Sequence, residues 1–376
     1  MNINDSVLKS EERAILTLRS LYRRFGYSSY KMNKFEEYDL YVRNKSFLLS
    51  DDVITFTDRS GKLLAMKPDV TLSIVKNTTD ADSGVRRLCY DESVYRVPKG
   101  DHAFREITQV GLECIGDIGA LHTAEVLFLA AKSLSLISEQ FVFTVSHLGI
   151  LSAVLDGAGI AQDAREEFLR ALGEKNLDGI SYLARYYGLA DDAVRALLLL
   201  VTAHGTPSEV LPQLATLPLG ESGRSALREL CDMMQALESR FPKHTVFIDF
   251  SVIGDMTYYG GIVFKGYISG IATSVLSGGS YDPLMRRMGK KSRAIGFALY
   301  LDLLERLSFG EKDADQETML ICDEGVSSSL LLDTMQALTE QGGTVRFVKE
   351  MPEAVECARI LRLTKDGTVK EAPYNA

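Results

Sequence analysis

The chain has 376 residues, with 42 basic and 51 acidic side chains for a formal net charge of −9, and 46% of its residues are hydrophobic. That length exceeds one small core and predicts two or three domains, while ordinary apolar and charged fractions mark a globular chain rather than a disordered or fibrous one. An acidic total supplies no global field for a phosphate backbone, so composition speaks against nucleic-acid binding.

The opening MNINDSVLKSEERAI lacks the apolar centre of a signal peptide, and the longest strongly apolar run, 196–203, is far short of a bilayer span. Neither export nor membrane insertion is expected, and the predicted location is cytoplasmic. Cys89, Cys114, Cys231, Cys322 and Cys357 are odd in number and nowhere spaced as C-x-x-C, which reads as reduced thiols without disulfides or zinc.

Along the chain, Ala14, Ile15, Leu18, Leu21, Tyr22 and Phe25 recur at helical spacing and stop at Gly26, a residue suited to the left-handed position after a helix. From 53 to 113 the texture turns β-rich. DVITFTD, RRLCYDESVYR and the alternation over 104–112 are separated by the turn signals DRSGK and KGD, and several of these strands should pair antiparallel. A helix over about 122–137 and a strand over 141–148 follow. Residues 149–241 read as entirely helical, with short amphipathic units broken by Gly and Pro, and predict an inserted helical domain.

Strands resume with TVFIDF and YYGGIVFKGYIS, continue through GGSYD, and lead to a predicted helix over 295–307. The same β-rich texture on both sides of the helical block predicts one sheet interrupted by an insertion. After SFG and the charged EKDADQE, the tail alternates TMLICD, a helix over 327–340, TVRFV, a short helix and ARILRLT, a small α/β unit. Its 7 basic and 13 acidic side chains over 311–376 match RNA poorly. The expected domains are 1–148 with 243–309, the insertion 149–242, and 310–376.

Chemistry concentrates in four segments. In YRVPKGDHAFREITQVGLECIG a strand ends in Arg96, a polar loop turns, and a second strand carries Arg105, Gln109 and Glu113 on one face. A buried Arg or Glu there would need a partner, and a solvated face fits the pattern equally well. In MKPDVTL, Asp69 and Thr71 share a strand face beside a proline. DMTYYGGIVFKG sets Tyr258 and Tyr259 before two glycines, and LSGGSYDPL contains Tyr281. Such tyrosines also suit a purely structural, half-buried place in a sheet. The five histidines are scattered without ligand spacing, so no metal site and no cofactor is expected.

In this order and with these gaps, the four segments resemble the catalytic core of class II aminoacyl-tRNA synthetases, specifically histidyl-tRNA synthetase and its paralogues, over roughly 9–308 outside the helical block. The resemblance implies an α+β fold, an antiparallel sheet flanked by helices with an all-helical insertion, followed here by the small C-terminal α/β domain. Carried over residue by residue, it implies a histidine pocket with Asp69, Thr71 and Gln109 around the ammonium and Glu113 with Tyr259 at the imidazole. Arg96 would stand on the carboxylate side, and Tyr258 and Tyr281 would line the pocket.

Departures from the synthetase pattern bear on the ATP half. Pro98 replaces the glutamate that holds adenine, Gly254 replaces an arginine that meets phosphate and carboxylate, and Leu303 replaces the arginine of the third motif, with Tyr300 in place of the glycine before it. Losing cations aimed at charge developing on a transferred phosphate removes about 10²- to 10³-fold in rate per donor. Asn33 stands for a proline in the first, dimer-forming motif, and Ser280 for an arginine in GGSYD. A chain that keeps the histidine half and lacks the ATP half is similar to the regulatory subunits of ATP phosphoribosyltransferase. That likeness implies a non-catalytic subunit binding free histidine and joining a separate short-form catalytic subunit, with self-dimers inside a larger hetero-oligomer. A divergent histidyl-tRNA synthetase is the alternative.

Overall fold

The computed structural model describes residues 8–43, 53–78, 84–97, 103–254, 256, 258–306, 317–340, 344–349, 351 and 357–372. Helix α1, Ser10–Arg24, buries Leu18 and Tyr22 and stops at Gly26 with φ +82°, as the sequence predicts. Glu11 and Glu12 in its first turn and Arg23 and Arg24 in its last suit the helix dipole. The chain then forms β1, Ser28–Ser29, and a small antiparallel sheet of β2, Phe35–Glu37, β3, Thr55–Thr57, and β4, Leu63–Met66, in the order β2-β4-β3. Helix α2, Tyr38–Arg43, follows β2, and α3, Thr71–Asn77, follows β4.

Asp69 and Thr71 therefore do not share a strand face. Pro68 ends the strand, Thr71 opens α3, and the Asp69 carboxylate accepts the Leu72 N–H at 2.8 Å, occupying one of the helix's orphan donors.

The main sheet runs in the order β1-β5-β6-β12-β11-β10-β7-β9-β8. Its strands are β5, Arg86–Arg96, β6, Arg105–Gly116, β7, Phe141–His147, β8, His204–Gly205, β9, Val246–Asp249, β10, Ile262–Ile268, β11, Leu276–Ser280, and β12, Arg293–Tyr300. The run from β5 to β7 is antiparallel throughout, whereas β1 joins β5 and β9 joins β7 in parallel, so the sheet is mixed at its flanks. Strand β10 lies beside β7 and β12 beside β6, so segments on both sides of the helical block complete one sheet.

The predicted helix over 295–307 is instead β12 followed by a short 3-10 turn, Leu301–Arg306. Its run of buried residues from Ala294 to Phe297 is sandwiched between β6 and β11 with both faces covered, and such a strand has no polar alternation to separate it from a buried helix.

Helix α4, Ala120–Ile137, lies against this sheet. By length and composition alone it could cross a membrane, but Val126, Leu127, Leu129, Ala130 and Leu134 are fully buried in the protein core. The helical block comprises α5, Leu148–Gly157, α6, Arg165–Gly173, α7, Leu177–Tyr186, α8, Asp191–Thr202, α9, Pro207–Leu214, and α10, Glu221–Glu238, with β8 as its one extended exception among the described residues. Leu151, Phe168, Leu197, Leu230 and Met234 of this block share one hydrophobic cluster with Phe143, Val145 and Phe264 of the sheet. Helix α11, Asp282–Arg287, separates β11 from β12.

Contacts divide the chain into Met1–Leu307 and Ser308–Ala376. The second unit has β13, Glu317–Cys322, α12, Ser328–Glu340, β14, Thr344–Val348, β15, Arg359–Leu363, and β16, Val369–Glu371. Its sheet, β14-β13-β15-β16, is parallel except at the last pair, where β16 adds an edge that the sequence did not announce. The short helix predicted between 348 and 359 lies largely outside the described residues. All five cysteines are free.

The ladder through β6 splits its side chains between two cores. Val110, Leu112 and Cys114 enter the large cluster with α1 and α4, while Ile107 and Ile115 enter a second cluster with Tyr90, Val94, Leu72 and Tyr281. Gly111 sits where β5 and β12 flank β6, and a Cβ there would collide with the Phe297 carbonyl and lie 2.5 Å from the Tyr90 hydroxyl. Gly111→Ala is therefore expected to lower stability by about 2 kcal/mol, read as a lower urea midpoint with an unchanged slope.

Candidate functional site

Odd residues of β6 and even residues of β5 face the same side, because Glu113 pairs with Leu88, Gly111 with Tyr90, Gln109 with Glu92 and Arg105 with Arg96. Glu113 is 2% exposed, and both of its oxygens are engaged: Thr71 Oγ1 donates to Oε1 at 2.8 Å and the Tyr281 hydroxyl donates to Oε2 at 2.6 Å. Thr71 arrives from the start of α3, and Tyr281 from the end of β11, where its N–H is fixed on the Ala294 carbonyl at 2.9 Å. Asp282 holds that corner by accepting from the Ala294 N–H at 2.9 Å and Arg293 Nε at 3.0 Å.

The carboxylate fits because the neighbouring strand has no side chain beneath it. A Cβ on Gly296, the β12 partner of Glu113, would overlap Oε2. Gly279 does the same for Tyr259, whose Cδ1 would lie 2.8 Å from an added Cβ. Glycines 111, 279 and 296 thus hollow the centre of the sheet, and polar groups fill the space.

Tyr258 and Tyr259 roof the hollow with ring centroids 4.5 Å apart in an edge arrangement, and Tyr258 lies 6.0 Å from Tyr281. Burial pushes the Tyr258 and Tyr281 phenols well above their usual range, with Asp69 adding at Tyr258 and Glu113 at both, so both remain protonated donors. Burial raises the Glu113 carboxyl to about 8, opposed by the Tyr281 and Thr71 hydrogen bonds. Asp69 is raised too, by burial first, against its Leu72 backbone bond and the positive charge of Arg96. Arg96 is 7% exposed and its Cζ stands 5.8 Å from the Tyr300 ring centroid.

The structure thus joins Thr71, Glu113 and Tyr281 directly, packs Tyr258 and Tyr259 over them, and couples Asp69 electrostatically to Glu113, Tyr258 and Arg96. Gln109 is buried on the same strand face between Glu92 and Tyr300, two same-face positions from Glu113 with Gly111 between them. Tyr90 was not anticipated. Its phenol runs beneath Gly111 to the Phe297 carbonyl at 3.4 Å and is raised by burial with Glu113 and Asp69 nearby. Glycines interrupting apolar strands at 111 and 296 were the available signal for such a close approach. No group of three His, Cys, Asp or Glu side chains suited to a metal occurs among the described residues.

Residues 3–304 match the family described as Histidyl-tRNA synthetase. The chain belongs to that family. A relative from Desulfitobacterium hafniense (strain Y51), named ATP phosphoribosyltransferase regulatory subunit, is 30% identical over 321 residues, covering 82% of each chain. A solved structure described as an ATP phosphoribosyltransferase regulatory subunit/histidyl-tRNA synthetase from Bacillus halodurans C superposes with TM-score 0.77 at 24% identity, covering 94% of each chain. The fold also recurs, with TM-score 0.62 and 20% identity over 80% of this chain and 98% of the other, in an ATP phosphoribosyl transferase (HisG:HisZ) complex from Thermotoga maritima.

Set against the synthetase pattern of this family, the substituted positions are built into the packing. A Cβ on Gly254 would lie 2.5 Å from Tyr259 Cδ2, so the tyrosine ring takes the room through which an arginine side chain would leave the backbone. Leu303, on the 3-10 turn, packs against the large core, and the Tyr300 hydroxyl is bonded to Ser277 Oγ at 2.9 Å. Pro98 lies outside the described residues.

The pH dependence follows from Glu113. Between its ordinary value of 4.5 and about 8 the folded chain keeps a proton that the unfolded chain has released, so this group makes stability fall as pH rises through that window. Thermal midpoints from pH 5 to pH 8 should decline for the parent chain and decline less for Glu113→Gln, with Asp69 supplying the residual slope of the same sign.

Proposed function

We propose that the chain is a regulatory subunit of ATP phosphoribosyltransferase, not catalytic by itself, that acts in the cytoplasm. It binds free histidine around Glu113, and supports and feedback-regulates a separate short-form catalytic subunit in the first step of histidine biosynthesis. The observation that carries this reading is the asymmetry of the site. The buried Glu113, Thr71 and Tyr281 network is intact, while Tyr259 takes the space beside Gly254 and Leu303 packs, partly buried, against the core. The regulatory-subunit name of the Desulfitobacterium relative supports it.

In this reading Asp69, Thr71 and Gln109 surround the ammonium, Glu113 and Tyr259 meet the imidazole, Arg96 faces the carboxylate, and Tyr258 and Tyr281 form walls. Charge-assisted bonds of about 1.5 to 3 kcal/mol each give roughly micromolar affinity after binding costs. An arriving ammonium or imidazolium favours ionised Glu113, so binding is coupled to the protonation of a carboxyl whose pKa is about 8. For feedback, histidine must bind the inactive assembly more tightly than the active one, because equal affinity shifts nothing. The assembly pairs self-dimers of this chain with the catalytic subunit.

Glu113→Gln keeps the side chain's shape and removes its charge, so calorimetry should show histidine binding weakened about 10- to 100-fold with assembly intact. Unchanged affinity refutes the pocket. Co-expression with a short-form catalytic subunit should yield a complex whose phosphoribosyl-ATP formation is faster than that of the catalytic chain alone and inhibited by histidine. Absence of a complex and of any rate change rejects the partnership. The family match to histidyl-tRNA synthetase favours one other reading, a divergent synthetase, and robust histidine-dependent pyrophosphate exchange would select it.

A further inference from the structure

A buried guanidinium ordinarily has carboxylate or carbonyl oxygens on its donors, because an uncompensated charge away from water is costly. Arg96 is 7% exposed, yet among the described residues its side chain makes no ion pair and no hydrogen bond. Its cross-strand partner on β6 is Arg105, a like charge, so the ladder supplies no compensation. What the structure places against it is the ring of Tyr300, whose centroid lies 5.8 Å from Arg96 Cζ.

We propose that Tyr300 is a positioning residue for the carboxylate of the bound ligand, its ring holding the Arg96 guanidinium while the N–H donors stay open to that carboxylate. The inference rests on the reading of this face of the sheet as a histidine pocket. It adds to that pocket a residue where the synthetase pattern has glycine.

The ring is anchored at both ends. The Tyr300 hydroxyl is bonded to Ser277 Oγ at 2.9 Å, and its backbone N–H donates to the Val275 carbonyl at 2.8 Å. Across the sheet Tyr300 is level with Gln109 and Glu92, and Glu92 is already paired with Lys67. Arg96 stands two same-face positions further along β5, and the positions between, Val94 and Ile107, belong to the apolar cluster against which Tyr300 packs. Attraction between a cation and a ring face gains strength where water is excluded. The ring face also occupies none of the guanidinium's five N–H groups, which form a planar fork matched to a carboxylate. An acidic side chain at position 300 would hold Arg96 more tightly but would fill those donors. An aromatic ring orients the cation without competing for its ligand.

The test is calorimetry on the full chain with two probes, histidine and histamine, which keeps the imidazole and ammonium and lacks the carboxylate. Tyr300→Leu should weaken histidine binding about 3- to 30-fold and leave histamine binding unchanged. Tyr300→Phe, which keeps the ring, should recover histidine affinity to within about 3-fold of the parent. In an Arg96→Met background, Tyr300→Leu should cause no further loss, because the ring acts through the guanidinium. Ser277→Ala removes only the ring's anchor and carries the same test should Tyr300→Leu fail to fold; a loss of about 2- to 3-fold, again confined to histidine, is expected. Full histidine affinity in both Tyr300→Leu and Ser277→Ala, a loss shared equally by histamine, or an equal further loss in the Arg96→Met background overturns the role and leaves the pocket standing. No histidine binding by the parent chain overturns the pocket and the role with it.

Discussion

A carboxylate with almost no exposure to water organises this molecule. Glu113 is tolerable at the centre of the sheet because two hydroxyls, from Thr71 and Tyr281, satisfy its oxygens and because Gly296 leaves it room. Each of these conditions recruits a different part of the chain: the start of α3, the end of β11 and the middle of β12. Desolvation drives the group toward its neutral form, and the hydroxyls pull the other way. The resulting carboxyl holds its proton well above the pH at which an exposed glutamate loses it.

The two faces of the central strands divide labour. On one face Val110, Leu112 and Cys114 pack with α1 and α4 into the large core that secures the sheet. On the other, small residues make a depression that Tyr90, Glu113 and Tyr259 fill with polar groups. A site built on paired strands inherits their stiffness, so a buried carboxyl can be held with its partners in register. The same packing takes in two of the positions that depart from the synthetase pattern. Tyr259 occupies the space beside Gly254, and Leu303 packs, partly buried, against the core, so at these two positions an aromatic or apolar contact stands where the pattern has an arginine.

Much of this was legible in the order of residues. Helix α1 ends at the glycine where its apolar spacing stops, α4 and the helices of the block 149–241 follow their periodicity, and the alternation in β6 correctly sets Gln109 and Glu113 on one face. Two elements misled for opposite reasons. The stretch that became β12 is apolar on both faces because the sheet is covered on both sides, so periodicity alone favoured a helix. Thr71 read as a strand residue because Asp69 and Thr71 alternate, yet a proline and a helix-starting aspartate lie directly before it.

Local pattern by itself determined the helices, most strands, and the interruption of one sheet by a helical block. Those features depend on spacing and composition within short windows, where the backbone's two periods leave a visible trace. Tertiary structure alone decided that Glu113 is bonded at both oxygens, that Tyr90 passes under Gly111, and that the ring of Tyr259 stands where a side chain at position 254 would begin. Such facts arise when strands distant in sequence are brought side by side, and a glycine's empty volume acquires meaning only from the group that another strand places in it.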